Sequence, residues 1–315
     1  MEDEDENTTP SEWVPSCSSD GGSGTGSTCL TELLRKAIAG ISVPLKPAAV
    51  KRPIGAANFT DAAYNSSLME RAVIYENGTR NVFCYYWDES QGNRGANEMA
   101  TILRKYITDL DERGNIKRLL LYCDCCPGQN RNKIILTMLH ETVQRCKNIE
   151  SVQINFLLTG HTYSSVDSAH ATIENQVKNT TIWAPSQWYT VFQTARKIPK
   201  NFDVEKLNHT DFKRWDLLAD KYFVGNLVGK ISKIRVATFK KNHTSATVKY
   251  SMDPDAWFRI EIASKTKLLD LPDCYPKVLP ISELKHKDLM KLCTDNNNRR
   301  KQQLFSIVQN WRVQQ

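Results

Sequence analysis

LLLYCDCCPGQNRN, residues 119–132, is the stretch on which the fold turns. Leu119 to Tyr122 is a short apolar run, the length of a buried strand rather than a helix. It stops at Asp124. A tight turn follows through Pro127 and Gly128, then the amides Gln129, Asn130 and Asn132, then an amphipathic segment. A carboxylate at the carboxyl end of a central strand, facing a strand-to-helix crevice, is where open α/β sheets place their chemistry. Forty-three residues after Asp124 comes Asp167, inside GHTYSSVDSAHATIE at 160–174, a segment that also holds Glu174, His161 and His170.

Composition bounds the class. The chain has 315 residues, 40% hydrophobic and 24% charged, the balance of a globular protein with one large domain and an appendage or two domains. Net charge is +7, which suits an anionic partner such as nucleic acid without requiring one. No apolar stretch approaches the ~20 residues of a membrane span, and MEDEDENTTP is acidic where a secretory signal would be basic. The expected setting is intracellular, the nucleus before the cytoplasm, with no membrane partner. Nine cysteines in such a setting are expected as thiols. Cys123, Cys125 and Cys126 flank Asp124, yet no second paired set completes a tetrahedral zinc site, so they are expected to pack beside the site.

Along the chain, residues 1–30 combine an acidic run with CSSDGGSGTGST, the composition of a disordered tail. Residues 31–67 form an opening segment of uncertain pattern, with one short helix expected over 31–41. Strands are expected at 70–75 and 81–87 around Asn77-Gly78, a strong hairpin signal. Next come a helix over 97–110 capped by Asn97, the strand ending at Asp124, a helix over 132–146, a strand over 151–158 and a helix over 165–178. Strands alternating with helices imply an α/β core with parallel members and helices on its faces, here spanning 68–200, in which the strands at 81–87 and 151–158 flank the one that ends at Asp124. A helix is expected over 187–195. The basic region 201–315 reads as β-rich at 231–239, 244–250 and 257–262, with a helix over 283–293 and an amphipathic end, RRKQQLFSIVQNWRV.

With Asp167 in the first turn of its helix, His170 and Glu174 follow at three and seven residues and share its face. Together with Asp124 these are oxygen-rich ligands suited to Mg²⁺ or Mn²⁺. Each has a plainer reading: Asp167 offsets the helix dipole, Glu174 is solvated, His161 bonds its turn and His170 fills the core. Their grouping with Asp124 favours the functional one.

CDCCPGQNRN, FLLTGHTYSSVDSAHATIE and the upstream YYWDESQGNRGANEMATILRKYI together resemble an uncharacterised domain family of transposable-element-derived proteins. Its usual forms read D-x-C-x-G-Q-N-x-N, then G-H-[ST] followed by D and a terminal I-E. APSQWYTVFQTARK at 184–197 also fits, and the resemblance spans about 75–212. It implies a ribonuclease-H-like mixed sheet, similar to integrase-type transposases, and an acidic triad holding Mg²⁺ or Mn²⁺. Asp124 would be the second acid, and Asp167 or Glu174 the third. Gln129, Asn130, Asn132, His161 and His170 would support them. The first acid belongs on an opening strand resembling F-D-L, which this chain lacks. Asp61 stands in NFTDAAYN without an apolar strand before it, and Asp88 after CYYW is a substitute.

Two-metal phosphoryl chemistry needs several carboxylates, and losing one removes turnover. The resemblance therefore implies either a degenerate, domesticated transposase-like domain with a residual nucleic-acid or protein interaction role, or an active nuclease whose opening strand is missing from this sequence. A cysteine hydrolase built on Cys125 or Cys126 with His161 lacks an orienting acid. Nothing in the sequence fixes the oligomeric state.

Overall fold

The computed structural model describes residues 38–41, 67–76, 79–157, 165–178, 180, 182, 185–222, 231–251, 257–261, 270–281, 283–284 and 286–287. The acidic tail, Asp61, His161 and most of the 283–293 segment lie outside them.

Strands β1 (Ile38–Ile41), β4 (Arg118–Cys123) and β5 (Ser151–Phe156) run parallel, and β7 (Val236–Lys240), β8 (Ser245–Lys249) and β9 (Phe258–Glu261) continue the same sheet antiparallel. The C-terminal β-rich segment thus extends the central sheet. A second sheet contains the hairpin β2 (Ser67–Glu76) and β3 (Thr79–Asp88), with β6 (Asp203–Lys206) parallel to β3. β1 lies against β2 as well as pairing with β4, so the two sheets meet there.

Helices pack on both faces of this β layer. α1 (Ala96–Glu112), α2 (Lys133–Arg145) and α5 (Trp215–Tyr222) pack together, and α2 also packs on β5 and β7. α3 (Ser165–Val177) packs against β1, β2 and α4 (Pro185–Thr194). Strand alternation divides β3 between two cores. Tyr85 and Trp87 join the larger core with α1, α2, β4 and β5, while Val82, Cys84 and Tyr86 join a smaller one with Ala169, Ile173, Trp188 and Phe192. A strand buried on both faces has to be apolar throughout, which explains VFCYYW.

Three expectations are corrected. Residues 38–41 form a strand where a helix was expected, because the Leu120–Cys123 edge offers Ile38–Ile41 a full set of ladder partners that outweighs the helix propensity of the segment. β4 consequently has β1 and β5 as neighbours, whereas the hairpin strand at 81–87 was expected beside it. Asn97 does not cap α1. Gly95 is the extended residue before the helix, and Glu98 Oε2 accepts its N–H at 2.9 Å. Asn97 instead fastens α5, donating to Asp216 Oδ1 at 3.0 Å and accepting the Asp216 N–H at 2.9 Å.

Two polar groups fix the larger core. His140 is buried between Tyr222, whose hydroxyl meets Nδ1, and the His243 carbonyl, 2.8 Å from Nε2; burial holds its pKa below the usual imidazole value. Asp111, at the end of α1, accepts the backbone N–H groups of Lys147, Asn148 and Ile149 at 2.6–2.7 Å. It thereby fastens the loop that feeds β5.

Candidate functional site

The loop after β4 is wound around one carboxylate. Asp124 is half-buried, and its Oδ1 accepts Asn130 Nδ2 at 2.6 Å and the Cys126 N–H at 3.1 Å. The Cys126 carbonyl accepts the N–H groups of Gln129, Asn130 and Arg131 at 2.8–3.3 Å, closing the turn. Asn132 caps α2, its side chain accepting the Ile135 N–H at 3.0 Å and donating to the Pro127 carbonyl at 2.9 Å. Gln129 reaches the Arg94 carbonyl at 3.4 Å and so joins this loop to the entry of α1. The three amides of the motif are therefore a scaffold for Asp124. Substituting Asn132→Ala should cost about 1 kcal/mol, the ordinary worth of an N-cap. Urea unfolding tests this: a loss near zero would mean water replaces the cap.

Asp124 Oδ2 accepts no hydrogen bond among the described residues. Beside it, Asn130 is 2% exposed and its Oδ1 has no partner among them. Arg131 Nε and Nη1 are likewise buried without partners. Buried polar groups without a protein partner are met by ordered water or a ligand, so this loop holds oxygen and guanidinium groups open to either.

The other candidate residues are distributed as follows. Asp167 lies in the first turn of α3, with its side chain outside the description. His170 and Glu174 lie further along α3, both half-buried, beside the Ala169–Ile173 stripe that enters the smaller core. Because α3 packs on β1, Glu174 is carried by an element over the strand adjacent to β4. Asp88 ends β3, where its Oδ1 accepts the Ser90 N–H at 2.9 Å and the Ser90 hydroxyl. β2 and β1 stand between that strand and β4, so Asp88 is not brought beside Asp124.

The thiols follow the packing reading. Cys123 is buried in the larger core, and burial raises its thiol pKa well above normal. Cys125 donates to the Leu157 carbonyl at 2.8 Å and accepts from Arg235 Nη1 at 3.3 Å. The described cysteines are all free, and no group of three His, Cys, Asp or Glu side chains among the described residues is placed to hold a metal.

One feature of the site escaped the sequence reading. The face of the sheet turned away from the larger core carries polar side chains: Gln153 and Asn155 on β5, Thr238 on β7, Thr247 and Lys249 on β8. The alternation in SVQINF announces it for β5, since every second residue is an amide or hydroxyl.

No curated protein and no solved structure matches the chain. A family model does, over residues 72–255, which runs from β2 to beyond β8 and includes both the Asp124 loop and the α3 segment. With more than half of its length in that match, the chain belongs to the family of the domain of unknown function DUF7869.

Proposed function

We propose that the chain is a ribonuclease-H-like domain of transposase type, a transposable-element-derived form that keeps the scaffold and an affinity for nucleic acid without two-metal turnover. The observation carrying this reading is β1. It lies between the β2–β3 hairpin and the parallel pair β4–β5, giving the order β3, β2, β1, β4, β5, with Asp124 leaving the carboxyl end of β4. That is the order in which a ribonuclease-H-like sheet sets its first acid on the opening strand, beside the second. Here β1 reads Ile-Ala-Gly-Ile, and no Asp or Glu occurs between Glu32 and Asp61.

The donor set argues the same way. Asp124 Oδ2 and Asn130 Oδ1 offer two oxygens, and Asp167 or Glu174 on α3 a third group, whereas two Mg²⁺ or Mn²⁺ ions each take about six ligands and share several carboxylates. These residues do not make up a two-ion site. They do keep a carboxylate and an amide at the head of a strand, and an overall positive charge survives the loss of one acid. The affinity for nucleic acid is then mainly electrostatic.

The purified protein is expected to show no Mg²⁺- or Mn²⁺-dependent cleavage of DNA or RNA, and to bind nucleic acid with an affinity that falls steeply with salt. A metal-dependent cut abolished by Asp124→Asn would instead establish the active nuclease or nucleotidyl transferase. That second reading draws on the unbonded Asp124 Oδ2 beside Asn130 Oδ1. Absent or salt-insensitive binding would remove the nucleic-acid role.

A further inference from the structure

The polar sheet face continues from the Asp124 loop to an aromatic edge. In register, Tyr122 of β4 faces Asn155 of β5, which faces Val236 of β7, which faces Lys249 of β8. The next row runs Leu120, Gln153, Thr238, Thr247 and Arg259. At the β9 end of the first row stands Trp257, still 44% exposed, with Lys249 Nζ 4.0 Å from its ring centroid. Arg259 is exposed and, among the described residues, paired with Glu261 at 2.8 Å, both partners being about two-thirds exposed. Such a surface pair contributes little and exchanges readily for a phosphate.

We infer that this face is a stacking platform for single-stranded nucleic acid, with a base lying on Trp257, phosphate on Arg259, and the Gln153, Thr238 and Thr247 groups toward base or sugar edges. This rests on the nucleic-acid reading above and specifies its surface and the form of its ligand. Three observations combine. An aromatic ring this exposed is costly to leave in water, and a cation fixes its orientation. Beside it, the half-buried Gln153, Thr238 and Thr247 offer hydrogen-bonding groups, whereas the parallel row through Asn155, Val236 and Lys249 is buried. The charge is complementary to a polyanion: between positions 230 and 261 seven lysines and arginines stand against Asp253, Asp255 and Glu261. An exposed ring suits unpaired bases, whose π-faces are free, over a duplex, whose bases are already stacked.

Fluorescence anisotropy with labelled oligothymidylate, oligouridylate and a duplex of equal length, on the full chain at two salt concentrations, tests this. Both single strands are expected to bind more tightly than the duplex; whichever of the two is tighter assigns DNA or RNA. Trp257→Ala should weaken single-strand binding about tenfold, the scale of one lost base–aromatic stack, while Trp257→Phe should stay within about threefold. Arg259→Ala should weaken binding and reduce the salt slope by about 0.7, one single-strand phosphate contact. Because Trp257 and Arg259 are exposed, thermal unfolding should match the parent for all three variants. If the parent binds but the three variants bind equally well, the platform is overturned and the broader reading stands. Tighter duplex binding overturns it too. If the parent binds none of the probes, the nucleic-acid reading fails and the platform with it.

Discussion

Replacing Asp111 by alanine should cost the fold about 3–5 kcal/mol, the largest loss expected from any single polar side chain here. One carboxylate at 6% exposure accepts three backbone N–H groups, from Lys147, Asn148 and Ile149, and Asn148 Nδ2 returns a bond to the Asp111 carbonyl at 2.8 Å. Charge-assisted bonds of this kind contribute about 1.5 kcal/mol or more each, and their removal strands three donors, of which the Ile149 N–H is buried. Asp111→Asn should lose somewhat less, since one amide oxygen still accepts while the NH₂ meets donors. The same geometry sets a pH dependence. Burial alone would raise the carboxyl pKa, but the three N–H donors, Ile149 foremost, outweigh it and hold the folded value below the ordinary 3.8. The unfolded chain therefore binds more protons as pH falls below about that value. The stabilisation is complete above it and disappears as pH drops through the folded pKa. Urea unfolding from pH 7 to 2 should show a steeper acid loss in the parent than in Asp111→Ala. Equal slopes, or a loss under 1 kcal/mol at pH 7, would reduce the contact to decoration.

Gly92→Ala is expected to cost about 2–3 kcal/mol, the scale of overpacking a well-filled core. A Cβ there would stand 2.7 Å from Phe212 Cε2 and 3.0 Å from Cδ2. The ring cannot retreat. Phe212 is fully buried, edge-on to Trp87 at 5.4 Å and to Tyr275 at 6.2 Å. The neighbouring backbone is held as well: Trp87 Nε1 donates to the Asn93 carbonyl at 3.1 Å, and Tyr275 Oη accepts the Asn93 N–H at 3.0 Å. This loop supplies the Arg94 carbonyl that receives Gln129, so strain here reaches the Asp124 loop. A double-mutant cycle isolates the clash: Phe212→Leu makes room, so Gly92→Ala with Phe212→Leu should cost at least about 1 kcal/mol less than the two singles combined. Additive losses would show that the glycine serves its turn rather than the close approach.

Residues whose chemistry acts locally were legible in the sequence. LLLY followed by turn residues is a strand running up to Asp124, and the amphipathic run from about Asn132 is a helix; both follow from period. The hairpin around 77–78, the apolar stripe of α1, and the helix carrying Asp167, His170 and Glu174 are equally local. The packing role of Cys123 follows from alternation alone. What the sequence could not give was adjacency. Residues 38–41 are too few for a periodic signal, and only the open edge of β4 makes them a strand. The pairing of β5 with β7 joins residues 80 to 90 positions apart and decides that the C-terminal strands extend the central sheet. Asn130 looks like a turn amide, and only the winding of its loop turns it onto Asp124 and buries its other oxygen. Asn97 has the chemistry of a cap, yet its partner Asp216 is 119 residues away. Local pattern determines which groups each element presents, because dihedral preference and side-chain period act over a few residues. Which groups then share a site depends on strand order, which is set by burying whole faces at once and leaves little trace in any short stretch of chain.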